Sequence, residues 1–230
     1  SNGTHPHRLP VFLMDRFGYA KTVDVSVYER NKEAADTENR YILTCKNTDK
    51  ICIFTNKGQM HLLKVLDLPY GKFRDKGIPI DNLSNYNSSE ENFIYIINLG
   101  AIIHSRLLFG TRTAMLKMVD GSEFDVAKRT TASTKLNEDD ELLIVHAMTG
   151  EETVVMQSEK EMFLRIEAST IPEKKKGAVG VRGMKLNAGD ALSNIYVLDG
   201  ESEQTVEVKG KEVVLNRLRV GNRDTKGTKR

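Results

Sequence analysis

Cysteine is scarce in this 230-residue chain, and Cys45 and Cys52 are the only two. Two thiols make no disulfide framework, and a single Cys-x6-Cys without a companion His or Cys cluster is a poor zinc signal. Both are read as ordinary strand residues in a reducing, cytosolic setting. Long apolar runs are missing as well: no stretch approaches the roughly 18 consecutive apolar residues of a membrane span, and no charged-then-apolar leader opens the sequence. The expectation is a soluble, cytoplasmic chain with no membrane partner. Catalytic motifs are equally absent, since there is no nucleophile elbow, no Walker loop and no pair of histidines at metal spacing. His61, His104 and His146 stand singly beside strand residues and are assigned to packing or surface. The glycines of "GAVGVRG" (Gly177, Gly180, Gly183) superficially resemble a nucleotide fingerprint, but no helical pattern follows them. No catalytic residue and no metal ligand is assigned.

Helical periodicity is also nearly lacking. The two competitors are "RNKEAADTENR" (Arg30 to Arg40), too polar to bury a face and read as a loop, and "LNEDDELLIVHAM" (Leu136 to Met148), read as a turn and a strand. What fills the chain instead is short runs of Val, Ile, Leu, Phe and Tyr bounded by Gly, Asn, Asp and Thr, which predict an all-β fold. Residues 1–3 read as a cleavage scar and residues 4–8 as linker, with His5 and His7 in a flexible tail; residues 9–230 are expected to form the domain, a piece of a longer polypeptide.

Net charge is only +2, but it is unevenly spread. From Asp120 to Glu161 eleven acids face four bases, whereas from Gln204 onward eight bases face three acids. Such a distribution suits a basic edge for a polyanion, limited by an acidic sector. The low total charge equally suits a protein-interaction module with little affinity for nucleic acid.

Five segments can be laid over one another: "VFLMDRFGYAKTV" from Val11, "ICIFTNKGQMHLL" from Ile51, "LLFGTRTAMLKMV" from Leu107, "VVMQSEKEMFLRI" from Val154 and "VEVKGKEVVLNRL" from Val206. Each reads as a hairpin whose second strand carries a basic or polar residue among apolar ones. With corners at Gly18, Gly58, Thr113, Glu161 and Gly210, the spacings are 40, 55, 48 and 49 residues. Between hairpins come loops that combine bases with glycine: "YGKFRDKGIPIDNL" from Tyr70, "IPEKKKGAVGVRGMKL" from Ile171 and "VGNRDTKGTKR" from Val220. Units of about four strands at this period predict a propeller-like array, because one such unit cannot bury its own face.

The order "FTNKGQMHLLKVLDLP…KGIPIDNL…EENFIYII", repeated as "FLRIEASTIPEKKKGAVGVRGMKLNAGD", resembles the C-terminal domain of the A subunit of bacterial DNA gyrase and topoisomerase IV. The resemblance implies a β-pinwheel of about five blade repeats, a propeller-like fold whose blades exchange strands. It further implies a basic rim that binds and bends double-stranded DNA, and partnership with the ATPase B subunit as well as with the rest of the A subunit. The location implied is nucleoid-associated. No cofactor is expected in this fragment, ATP and Mg2+ belonging to the parent holoenzyme together with the DNA-cleaving tyrosine. The gyrase Gln/Arg/Gly-rich box has no clear counterpart: the corresponding region reads "VYERNKEAADTENRYILT" (Val27 to Thr44), without glycine, which is closer to a topoisomerase IV-type or weakly wrapping protein. The chain is also expected to stop within its fifth repeat, so the intact domain would carry a further blade or belong to a shorter relative.

Candidate phosphate contacts are then the loop bases. They are Lys72, Arg74 and Lys76 in the second repeat, Lys128 and Arg129 in the third, and Lys174, Lys175, Lys176, Arg182 and Lys185 in the fourth, followed by Arg217, Arg219, Arg223 and Lys226 in the fifth. Tyr19, Tyr70 and Tyr86 are assigned to packing rather than to stacking on DNA.

Overall fold

The computed structural model describes residues 9–230; the tail assigned to His5 and His7 lies outside the described residues. All five hairpins form. In chain order the elements are β1 (Pro10–Met14), β2 (Tyr19–Asp24), α1 (Val25–Arg30), α2 (Lys32–Glu38), β3 (Tyr41–Thr44), β4 (Lys50–Thr55), β5 (Gln59–Lys64), β6 (Ile78–Pro79), α3 (Ile80–Leu83), β7 (Phe93–Asn98) and α4 (Leu99–Ile102). There follow β8 (Arg106–Thr111), β9 (Met115–Asp120), β10 (Thr130–Ala132), β11 (Leu142–Met148), β12 (Thr153–Ser158), β13 (Met162–Glu167), β14 (Val181–Arg182), β15 (Leu192–Leu198), β16 (Thr205–Val208), β17 (Lys211–Val214), β18 (Val220–Gly221) and β19 (Thr228–Lys229). No helix among the described residues is long and apolar enough to cross a membrane.

The pairing follows one rule. The first strand of a hairpin pairs with the strand that follows in its own repeat, and the second strand takes a short strand supplied after the next hairpin. The sheets accordingly run β3-β1-β2-β6, β10-β5-β4-β7 and β11-β8-β9-β14, and in the fourth β15-β12-β13-β18 with β19 also on β13. The last hairpin, β16-β17, stands as a two-stranded sheet. Strand exchange of this kind covers a hairpin edge that would otherwise expose unpaired N–H and C=O groups.

Two compact units are present. The first holds residues 9–55, Gln59–Ile103 and Phe124–Thr131, with a core that includes Phe12, Met14, Ile51, Ile53, Leu63 and Ile96. The second holds Asn56–Gly58, His104–Glu123 and Ala132–Arg230, and its main core includes Leu108, Leu116, Met156, Leu164, Ile166 and Ile195. Each such side chain contributes about 1.5–3 kcal/mol by leaving water. Both thiols are buried and free, Cys52 within β4 and Cys45 just past the end of β3. Burial pushes the Cys45 thiol up to about 12.

Two local expectations are corrected. The polar stretch read as a loop, Arg30 to Arg40, carries the last residue of α1 and the whole of α2, because a helix can be held without a broad apolar face. Asp36 accepts from the Tyr28 hydroxyl at 2.7 Å and from Lys32 Nζ at 2.9 Å, Asn39 Nδ2 donates to the Ala35 carbonyl at 3.0 Å, and Ala35 alone is fully buried. Spacing of four residues brings Lys32 to Asp36 and Asn39 to Ala35, while Tyr28 reaches Asp36 from α1, eight residues earlier. The third hairpin turns at Ala114 (φ +67°), not at Thr113, while Gly18, Gly58, Glu161 and Gly210 all take positive φ as expected for corners. A β-branched threonine resists the left-handed region more than alanine does. Thr113 instead points to Asp140, which accepts from its amide at 3.0 Å and its hydroxyl at 2.6 Å.

Candidate nucleic-acid interface

The loops between hairpins carry the candidate cations, and each is tied to the second strand of the hairpin one repeat earlier than the one it follows. Thr22 N donates to Pro69 O at 2.8 Å, Leu62 N to Arg129 O at 2.8 Å, and Met118 N to Pro172 O at 3.0 Å. Arg165 and Ile166 pair with Val220 and Gly221 in parallel at the corresponding place.

Glycine then lets the loop return. Gly77 (φ +88°), Gly180 (φ +108°) and Gly227 (φ +73°) lie against the carbonyls of Ala20, Leu116 and Phe163, where an added Cβ would fall 2.5, 2.6 and 2.2 Å from the oxygen. Only glycine tolerates both the backbone angle and the approach.

In the first unit, Lys72, Arg74 and Lys76 are exposed, and the Lys76 ammonium lies 4.3 Å from the centre of the Tyr19 ring. Lys128 and Arg129 are exposed, with an Arg129 guanidinium nitrogen donating to Leu83 O at 3.1 Å. In the second unit, Lys174 and Lys175 are exposed, while Lys176 is half-buried and both its amide and its Nζ bind Glu123. The triple lysine thus offers two unengaged heads rather than three.

Segments 181–185 and 222–226 run side by side, with Lys185 N donating to Thr225 O at 2.9 Å and Arg223 to the Arg182 carbonyl at 3.0 Å. This brings Arg182, Lys185 and Arg223 together and places Lys226 in the adjoining segment. Asp224 bonds Arg182 through both carboxylate oxygens, at 2.5 and 3.3 Å, and that contact holds its carboxyl below the usual range. Arg217 reaches Glu203 only at 3.8 Å, and Arg219 is exposed. Tyr86 is buried, donating to Glu91 O at 3.2 Å, and Tyr19 and Tyr70 are half-buried.

The basic residue noted within each second strand is the element sequence reasoning left without a role. Lys21, His61, Lys117 and Arg165 occupy equivalent places, one residue before Thr22, Leu62, Met118 and Ile166. Each reaches into the following repeat's segment. Lys21 Nζ donates to the carbonyls of Phe73 and Asp75. Lys117 Nζ donates to those of Lys175 (3.0 Å), Lys176 (3.2 Å) and Ala178 (2.6 Å), and Arg165 to those of Asn216 (2.8 Å) and Leu218 (3.0 Å). His61 Nδ1 lies 2.8 Å from Thr130 Oγ1 and Nε2 2.9 Å from Glu91. Burial draws the Lys117 ammonium down to about 8, against the pull of Glu123, and lowers Lys21 as well. The signal was available in sequence as one basic residue repeated among apolar neighbours.

A family model described as DNA gyrase C-terminal domain, beta-propeller, matches residues 105–147 and 152–199. The chain is 28% identical over 97% of its length to the DNA gyrase A protein of Staphylococcus epidermidis, and 28% identical over 94% of its length to that of Lawsonia intracellularis. It spans 27% and 28% of those relatives' lengths. Among solved structures, the C-terminal domain of DNA topoisomerase IV superposes with a TM-score of 0.83 at 22% identity, covering 96% of this chain and 72% of that one. The E. coli ParC C-terminal domain gives 0.76 at 14% identity, covering 97% and 94%. In sequence the chain is similar to DNA gyrase A proteins, and in fold, a β-pinwheel, it is similar to the C-terminal domains of DNA topoisomerase IV and ParC.

Proposed function

We propose that this chain is a sequence-nonspecific module that binds and bends double-stranded DNA and presents a duplex segment to the catalytic core of a type II topoisomerase. The observation that carries the reading is the repeated loop: four inter-hairpin segments, pinned by main-chain bonds, expose Lys72, Arg74 and Lys76, Lys128 and Arg129, Lys174 and Lys175, and Arg219 and Lys226. Phosphate recognition needs cations fixed along a path and no base-reading groups. Bending a duplex over such a surface costs on the order of 1 to 6 kcal/mol for 40 to 90° over 20 to 30 base pairs, so several loops must act together. The proposed partners are the ATPase B subunit together with the rest of the A subunit, with ATP and Mg2+ used elsewhere in the parent enzyme and the whole located in the cytoplasm at the nucleoid.

Binding to a mixed-sequence duplex at two salt concentrations tests this. Four phosphate contacts, one per loop, give about a hundredfold loss of affinity between roughly 50 and 200 mM salt. Affinity that does not respond to salt, or no binding at the lower concentration, would overturn the reading.

A further inference from the structure

The recurring buried cation has no direct access to a ligand, and Lys117 is 1% exposed. Its position explains something else about the loop it touches. A peptide group sends its C=O and N–H to opposite sides. Drawing the carbonyls of Lys175, Lys176 and Ala178 inward onto one ammonium turns the following amides, those of Gly177 and Val179 among them, away from it. A phosphate approaching from outside then meets N–H groups and the Lys174 and Lys175 heads instead of carbonyl lone pairs. Lys21 does the same to the loop of Lys72, Arg74 and Lys76. Where the third repeat lacks the glycine, His61 replaces the lysine and holds Thr130 by its hydroxyl.

We infer that Lys117 is a positioning residue for DNA binding, which sets the backbone of the Lys174–Gly180 loop so that its lysines and amides face a phosphate. This rests on the DNA-binding reading above. The groups that face Lys117 are the Phe109 ring at 5.5 Å on β8, Glu123 on the turn after β9, and the three carbonyls, with Lys176 itself bound to Glu123.

The test uses the 230-residue chain and a mixed-sequence duplex, with Lys117→Met, Lys117→Arg and the Lys174→Ala/Lys175→Ala pair. Lys117→Met should weaken binding about tenfold and reduce the salt slope by about one to two, as if the exposed lysines had been removed although both remain. In the Lys174→Ala/Lys175→Ala background it should cost clearly less, only the share of the loop amides. Amide exchange of residues 174–180 should quicken in Lys117→Met without DNA present. Raising the pH from about 7 to about 9 should weaken binding by the wild type a few-fold, as the Lys117 ammonium, drawn down to about 8, gives up its proton. Lys117→Arg should restore the affinity and remove Lys117's share of that pH dependence, a result a purely structural role would not produce.

Equal losses in both backgrounds, or unchanged loop exchange in Lys117→Met, would overturn the positioning role. If Lys117→Met does not fold, the pH series with wild type and Lys117→Arg decides alone, and identical pH profiles for the two would overturn it. If the wild type fails to bind duplex at all, the DNA reading falls, and loop exchange still judges whether Lys117 shapes the segment.

Discussion

A cation inside a strand-rich core is costly unless acceptors surround it. Lys117 meets that condition with three carbonyls, yet burial still leaves its ammonium easier to deprotonate than in the unfolded chain, at about 8 against 10.5. The unfolded state therefore binds the proton more tightly between those values, and stability gains from this group as pH rises from about 8 to about 10.5. Comparing unfolding midpoints of the wild type and Lys117→Arg across that window isolates the effect: the wild type should gain on the arginine variant as pH rises, and a constant difference would refute it. At the same scale, Gly180→Ala forces both a φ of +108° and a Cβ 2.6 Å from Leu116 O, so a loss of about 3 kcal/mol is expected in urea unfolding. Gly150→Ala, at φ +98° with nothing within 4 Å, should lose only about 1 kcal/mol. Equal losses would mean that the close approach contributes nothing.

Among elements, the hairpins were legible because alternation of apolar residues around a Gly or polar corner is a local signal. The short return strands were legible only as loops with bases and glycine, since two-residue strands such as β6, β14 and β19 are defined by their distant partners. Thr113 was mistaken for the third corner because only the backbone reveals that Ala114 takes the positive φ. The helices were missed for a physical reason: α2 buries only the small residue Ala35 and α1 buries none, so no broad apolar face marks them, and the side-chain pairs around them lie at the surface. Their tolerance should differ residue by residue. Asp36→Ala, at the surface, should leave the unfolding midpoint almost unmoved, whereas Ala35→Glu places a carboxylate in a fully closed site and should cost about 2–4 kcal/mol. If denaturation shows the two variants alike, α2 is not docked through Ala35. The candidate site was legible as a set of exposed loop bases. Its supporting cations were legible only as a repeated basic residue among apolar neighbours, because nothing in sequence marks whether such a residue faces water or a ring of carbonyls.

At the scale of the molecule, the distribution of charge matters more than its sum of +2. Cations collect on the inter-hairpin loops, yet some are engaged in place: Arg182 is partly neutralised by Asp224, and the Lys176 ammonium is turned onto the Glu123 carbonyl. The region from Val27 to Thr44, where a glycine-rich wrapping loop would add phosphate contacts, is spent on helices and a strand, with Lys32 itself paired to Asp36. Fewer free cations along the path mean fewer contacts to offset the elastic cost of a tight turn of DNA. The isolated chain should accordingly bend duplex without strongly trapping a writhe of either hand. When relaxed plasmid is incubated with excess chain, treated with a nicking-closing enzyme and deproteinised, its linking-number distribution should stay close to that of the control. A large one-handed shift would show that wrapping does not need the glycine-rich loop, and would move the proposal from topoisomerase IV-like segment presentation toward gyrase-like supercoiling.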